Sequence, residues 1–244
     1  MTEPAARTPK ALAFDVFGTV VDWRTSIARE SAEFLARIGR GDIDPHGFAD
    51  QWRRRYAPAM AAVSGGQRGF VKLDILHREM LEAVLQRDQG IDVAALDTAL
   101  LADWVDAWHR LDPWPDAVAG LARLRSAFPV VTLSNGNISL MVDMARRAGL
   151  VWDAILGAEY ARAYKPQPAA YLAAADALGI APHELCLVAA HHSDLAAARG
   201  CGLMTAYIDR PLEYGGARAP DADAVQDWEY GADSLTALAE QLGC

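Results

Sequence analysis

The sequence predicts an α/β fold, a doubly wound parallel sheet with a helical unit inserted after its first strand. Three observations predict it. Five short apolar runs, at 11–14, 130–133, 154–156, 185–188 and 204–208, are continuous rather than alternating, the pattern of strands buried on both faces. Helical periodicities at 116–128, 138–148, 168–178 and 194–200 alternate with the later runs, as in successive βα units. The stretch 23–114, rich in Ala, Arg, Leu and Glu, reads instead as several amphipathic helices broken at Gly or Pro.

Taken in order, the first run ends on Asp15 and turns at once through Gly18-Thr19, which places a carboxylate at a strand's carboxyl end. Ligands of open α/β sheets bind outside those ends, so Asp15 is sited either as a nucleophile or as a cap for the turn and helix that follow. The helical stretch emerging beside it is placed either to close over Asp15 and exclude water or to extend the core. The expected division is a core of 1–22 and 115–244 with a helical cap of 23–114. Further polar groups fall at or beyond the ends of later strands: Ser134 with Asn135, then Lys165, then Asp194.

A chain of this length buries about 70–75% of its unfolded surface and needs no disulfide or metal staple. Cys186, Cys201 and Cys244 fit no Cys-x-x-Cys pattern and read as reduced thiols. The first ten residues carry Glu3 and two prolines without an apolar leader, and no apolar run is long enough to span a bilayer. The expectation is a cytoplasmic protein, disordered only at its ends. A net charge of -9 argues against nucleic acid or an anionic membrane as partner, so positive charge for an anionic small molecule must be supplied locally.

Asp15-x-x-Gly18-Thr19, Leu133-Ser134-Asn135-Gly136, Lys165-Pro166 and Ser193-Asp194, with the inserted helices, together resemble the haloacid dehalogenase superfamily over essentially the whole chain. The resemblance implies a Rossmann-like core and two candidate chemistries. Phosphatases of this superfamily use an Asp two places after the nucleophile as general acid/base and bind Mg²⁺ through a Gly-Asp-x-x-x-Asp loop. Here those positions hold Phe17 and the Ala189-Ala190 to Asp194 segment, so a proton donor and a hard oxygen ligand are missing. A halide leaves without either.

The opening motif and Lys165-Pro166 to Tyr171 resemble the 2-haloacid dehalogenases, which implies no cofactor and no metal. Carried over, Asp15 attacks the halogen-bearing carbon and water then hydrolyses the aspartyl ester. Thr19 and Ser134 hydrogen-bond carboxylate oxygens of enzyme or substrate, Lys165 keeps Asp15 ionised, and Asp194 positions or activates water or else caps the helix it begins. Arg53 and Asn135 match positions around substrate and halide, although adjacent Arg53, Arg54 and Arg55 cannot all face one pocket, and Tyr171 is either a further substrate-facing residue or a packed helix residue. Ala189-Ala190-His191 stands where many relatives have Ser-Ser-Asn, and with Trp23 it resembles a subgroup whose members include acceptors of fluoroacetate. Trp23, His191 and Asn135 are then candidate donors to departing fluoride, the other reading being that Trp23 packs under the cap and His191 is satisfied by a nearby backbone carbonyl.

The resulting expectation is hydrolysis of short 2-haloalkanoates to 2-hydroxy acids: haloacetates, (S)-2-haloacids and fluoroacetate. The alternatives are a phosphomonoesterase of the same superfamily and a non-catalytic module binding a small acid or a protein. Resemblance also implies a homodimer.

Overall fold

The computed structural model describes residues 8–244. The expected disorder at the amino terminus concerns residues that lie, but for 8–10, outside those described. At the other terminus the expectation is corrected: Leu235–Gln241 forms a helix, capped by Ser234, whose hydroxyl accepts the Ala237 N–H. It is held because Leu235, Leu238 and Ala239 bury an apolar stripe.

Strand β1 (Ala11–Phe14) is buried along its whole length and lies at the centre of a six-stranded parallel sheet. On one side it pairs with β4 (Val130–Ser134), which pairs with β5 (Ala154–Gly157); on the other it pairs with β6 (Leu185–Ala189), followed by β7 (Met204–Ile208) and β8 (Tyr230–Ala232). The chain order along the sheet is therefore 5-4-1-6-7-8. Asp15, one residue beyond β1, faces the crevice at the carboxyl ends where ligands of such sheets bind. Strand β8 was not anticipated, because Tyr-Gly-Ala is too short and weakly apolar to signal an edge strand.

Residues between β1 and β4 leave and rejoin the core through a second, two-stranded sheet, β2 (Val21–Asp22) against β3 (Asp112–Pro113). Between these strands run α1 (Trp23–Arg37), α2 (Pro45–Arg54), α3 (Tyr56–Ser64), α4 (Leu73–Ala83) and α5 (Thr98–Val105). Their starts follow helix-capping chemistry: Asp22, Asp44 and Asp97 each accept backbone N–H groups of the first turn, and Pro45 occupies the first position of α2. Inside the insert, aromatic rings do the packing, with Phe34 and Phe48 stacked on Trp104 and His77 stacked on Trp108 at 4.3 Å. Burial pushes the His77 imidazolium out of favour, lowering its pKa to about 3, so the ring packs as a neutral aromatic.

The core helices are α6 (Ala117–Arg125), α7 (Ile138–Ala148), the one-turn α8 (Ala158–Ala161), α9 (Pro168–Ala177), α10 (His192–Gly200) and α11 (Leu235–Gln241). The sequence reading starts the helix after β6 at Asp194; it starts two residues earlier, so Asp194 sits inside the first turn and is not its cap. Among the described residues no helix is long and apolar enough to cross a membrane.

Gly120 of α6 is where α11 approaches most closely: a Cβ there would lie 2.5 Å from Leu235 Cβ and 2.8 Å from its carbonyl carbon. Gly120→Ala gains up to about 1 kcal/mol of helix propensity but overpacks this contact at about 1–3 kcal/mol. With the middle of that overpacking range against the full propensity gain, net destabilisation of about 1 kcal/mol is expected, read as a lower urea midpoint; an unchanged or higher midpoint would show that α11 yields freely.

Candidate active site

Four strand ends and two inserted helices supply the site. Asp15 follows β1, Asn135 follows β4, His191 follows β6, and the loop after β7 supplies Glu213 and Tyr214. Lys165 precedes α9, Asp194 lies on α10, and Arg53 and Tyr56 come from α2 and α3. A cavity of about 280 Å³ is lined by Asp15, Phe17, Arg53, Tyr56, Asn135 and Lys165, among others.

Asp15 is 7% exposed and its two oxygens are treated differently. Lys165 Nζ donates to Oδ1 at 2.9 Å, whereas Oδ2 accepts from Thr19 Oγ1 at 2.8 Å and lies 3.1 Å from His191 Nδ1. Thr19 Oγ1 itself accepts the Ala190 N–H at 2.8 Å, which leaves its hydroxyl hydrogen for Asp15. Burial by itself would raise the Asp15 pKa. The Lys165 charge opposes that most strongly, followed by the hydrogen bond and charge of His191, and the net shift is well below the usual carboxylate range.

Lys165 also donates to Asp194 Oδ2 at 2.5 Å, and Tyr171 Oη donates to Asp194 Oδ1 at 2.6 Å. Burial would lower the Lys165 pKa, but Asp15 and Asp194 on either side raise it, so the ammonium bridges two carboxylates. The backbone N–H of Lys165 is fixed by Asn135 Oδ1 at 2.8 Å, while Asn135 Nδ2 meets the weak acceptor Met60 Sδ at 3.2 Å.

One of the expected ligand-facing groups is corrected by this geometry, and two line the cavity with their polar atoms already engaged. Trp23 Nε1 donates to Glu213 Oε1 at 2.9 Å instead of facing a halide, because Glu213 is buried beside it and needs donors. His191 has Nδ1 on Asp15 and Nε2 3.0 Å from Glu213 Oε1, so neither ring nitrogen is left for a halide. Tyr171 lines the cavity but spends its hydroxyl on Asp194. Ser134, fully buried, accepts the Gly136 N–H at 3.0 Å and fixes the loop that presents Asn135. His192 points away from its neighbour, stacking on Tyr207 and accepting from Trp228 Nε1.

The Arg53-Arg54-Arg55 run divides as helix geometry requires. Arg55 pairs with Asp88, Arg54 is exposed, and Arg53 reaches the cavity with its guanidinium 4.1 Å from the Tyr56 ring centre and 5.4 Å from that of Trp23. Arg53 Nη1 is buried without a hydrogen-bond partner. A half-buried guanidinium with a buried, unfilled donor is a fitting seat for an anion.

Sequence reasoning missed Glu213, Tyr56 and Tyr214. Glu213 is 2% exposed and belongs to no motif. Its one advance signal is topological, since a loop after β7 starts on the same side of the sheet as Asp15. The glycine of the opening motif serves it: Gly18 has φ +86°, and a Cβ there would lie 2.2 Å from Glu213 Oε1.

The residues do not fit a divalent cation. Both Asp15 oxygens are held by Lys165, Thr19 and His191, and Ala189 and Ala190 offer no carboxylate. Among the described residues no group of three or more His, Cys, Asp or Glu side chains is arranged to hold a metal ion.

An acid at the carboxyl end of the central strand, a lysine bridging it to a second acid, and a helical insert whose Arg53 and Tyr56 line the same cavity define a class. The family model of haloacid dehalogenase-like hydrolases matches residues 9–202, and the chain belongs to that family. Its relatives are more particular. It is 31% identical over 218 residues to (S)-2-haloacid dehalogenase 1 of Pseudomonas sp. (strain CBS-3), covering 84% of this chain and 88% of that one. The crystal structure of a defluorinating L-2-haloacid dehalogenase matches with a TM-score of 0.93 and 47% identity, over 98% of this chain and 96% of the other. A second L-2-haloacid dehalogenase structure matches at 0.88 and 46%, over 96% and 100%.

The site makes stability depend on pH through His191. Burial would lower its pKa, but the charge of Glu213 and the hydrogen bond to Asp15 carry it well above 6.5. A raised folded-state value means the stabilisation is complete below about pH 6.5 and is lost as pH rises through that folded value. Urea midpoints measured from pH 6 to pH 10 should fall more steeply with pH in the wild type than in His191→Gln; parallel curves would contradict a folded-state imidazolium.

Proposed function

We infer that this hydrolase removes halide from short 2-haloalkanoic acids through an ester on Asp15, giving 2-hydroxy acids. One observation carries the reading: an ionised, cation-flanked carboxylate shares a small cavity with the unpaired Arg53 donor. Asp15 Oδ1, bonded to Lys165 alone among the described residues, is the attacking oxygen, because Oδ2 already serves two donors. Arg53 receives the anionic substrate or its departing halide, and the Asn135 amide, loosely held by Met60, turns to the same ligand. Forming the ester divides a difficult displacement by water into two assisted steps.

Asp194 is, besides Asp15, the carboxylate lining the cavity among the described residues, and it takes the proton of the hydrolytic water. Lys165 and Thr19 hold the nucleophile, Tyr171 orients Asp194, and Ser134 shapes the Asn135 loop. The inserted helices, 23–114, act as the cap that closes the cavity over a core of 1–22 and 115–244. A volume near 280 Å³ suits a substrate of a few carbons, haloacetates included. The likeness to a defluorinating enzyme supports fluoroacetate among them, and the (S)-2-haloacid dehalogenase relative supports that enantiomer.

Phosphate-ester hydrolysis is the weaker reading. Phe17, where a proton donor for a leaving oxygen would stand, is buried edge-on against Tyr56 and Trp108. A purely binding role leaves unexplained why Asp15 is held ionised at the cost of burying it with Lys165. The free thiols of Cys186, Cys201 and Cys244 suit the reducing cytoplasm, and homodimerisation rests on family likeness alone.

The test is halide release with excess EDTA from fluoroacetate, chloroacetate and each 2-chloropropionate enantiomer. Release that survives EDTA and drops by more than about 10⁴-fold in Asp15→Asn is expected. Single turnover in ¹⁸O-water should place label in Asp15. No release from any substrate, with EDTA-sensitive turnover of an aryl phosphate, would favour the phosphatase.

A further inference from the structure

Glu213 is not on the cavity wall, yet it is almost wholly buried and holds two site residues at once. Oε1 accepts from Trp23 Nε1 at 2.9 Å and lies 3.0 Å from His191 Nε2, with Oε2 at 3.2 Å from the same nitrogen. The other ring nitrogen, Nδ1, is 3.1 Å from Asp15 Oδ2. A neutral imidazole has one N–H and satisfies one of these carboxylates; the doubly protonated ring satisfies both. A ring so engaged also has no lone pair with which to take a proton from water, so it cannot be the base.

We propose that Glu213 is a positioning residue that keeps His191 doubly protonated, so that His191 Nδ1–H and the Thr19 hydroxyl form the oxyanion hole for hydrolysis of the Asp15 ester. The inference rests on Asp15 being the nucleophile. Attack through Oδ1 makes Oδ2 the ester carbonyl oxygen, already between these two donors. Water then adds to Cγ of Asp15, giving a proton to Asp194, and the carbonyl π pair moves onto Oδ2. As the carbonyl reforms, the Cγ–Oδ1 bond breaks and Oδ1 leaves as the product's hydroxyl oxygen with the proton from Asp194. The regenerated acid at Asp15 ionises to solvent. Donors aimed at the charge that develops act without reorganisation, and deleting one typically costs 10²–10³-fold.

His191 meets the charges of Asp15 beyond β1 and of Glu213 and Asp221 in the loop after β7, and shares the cavity wall with Asp194 on α10 and the cations Lys165 and Arg53. Burial and Glu213 are the leading influences on its proton, in opposite senses. Asp221 is engaged by the Ser193 backbone and hydroxyl at 2.8 Å each. Glu213 is thus the partner whose charge can be removed without touching the nucleophile.

The decisive variant is Glu213→Gln, which keeps an oxygen acceptor and removes the charge. In ¹⁵N-histidine spectra the wild-type His191 ring should stay doubly protonated through pH 8, and in the variant it should lose a proton at least one pH unit lower. At pH 8 the variant should release one equivalent of halide in a burst, accumulate the Asp15 ester by mass, and turn over at least about tenfold slower, recovering at pH 6. Identical His191 titration in both proteins, a uniform loss at every pH without a burst, or a rate that rises as His191 deprotonates would each overturn the proposal. Should the variant not fold, His191→Asn decides: it should lack the alkaline fall in kcat that the wild type shows, and keeping that fall overturns the proposal. If the wild type releases no halide at all, the dehalogenase reading fails, whereas the spectra still report on the Glu213–His191 pair.

Discussion

The Lys165 ammonium, seated between Asp15 and Asp194, is the contact on which the rest of the site depends. Burying a carboxylate costs several kcal/mol unless opposite charge and hydrogen bonds replace water, and removing one partner of such a pair costs about 3–5 kcal/mol. Three carboxylates, those of Asp15, Asp194 and Glu213, are matched by three cations, Lys165, His191 and Arg53. The balance lets Asp15 remain ionised although it is buried. It also leaves Arg53 as the cation whose charge is answered by aromatic faces rather than by an acid.

That charge cluster is walled by rings. Phe17 lies edge-on to Tyr56 and Trp108, and Trp23 stacks near Trp108, so core and insert meet through aromatic contact around the cavity. Such a wall has low polarity, which strengthens the electrostatics within it and restricts entry of water. The two-residue β2–β3 pair is the narrow neck through which this insert joins the core. Arg29 and Arg147, both bonded to Asp112, reinforce the neck from outside.

Much of the fold was legible because buried parallel strands announce themselves as continuous apolar runs, and the runs at 130–133, 154–156, 185–188 and 204–208 lie inside observed strands. β8 escaped because its edge position asks little of side-chain chemistry, and β2 and β3 because two residues carry no period. Lys165, Asn135 and Asp194 were visible as polar groups at strand ends or in a motif. Less visible was where other polar tips go: Trp23 turns to buried Glu213, and Tyr171 lines the cavity while its hydroxyl serves Asp194.

The sequence by itself determined the alternation of the main strands and helices, an aspartate at the carboxyl end of the first strand, and the apolar residue at Phe17 that weighs against phosphoryl chemistry. These follow from local rules, periodicity and short motif spacing, that act over a few residues. Tertiary structure alone decided which donors are spent and which are free. Glu213 lies 190 residues from Trp23 and 22 from His191, and whether those donors serve a halide or a buried acid depends on a loop whose path no local pattern encodes. Hydrogen bonds saturate, so the destination of each proton is settled only when all its competitors are in place.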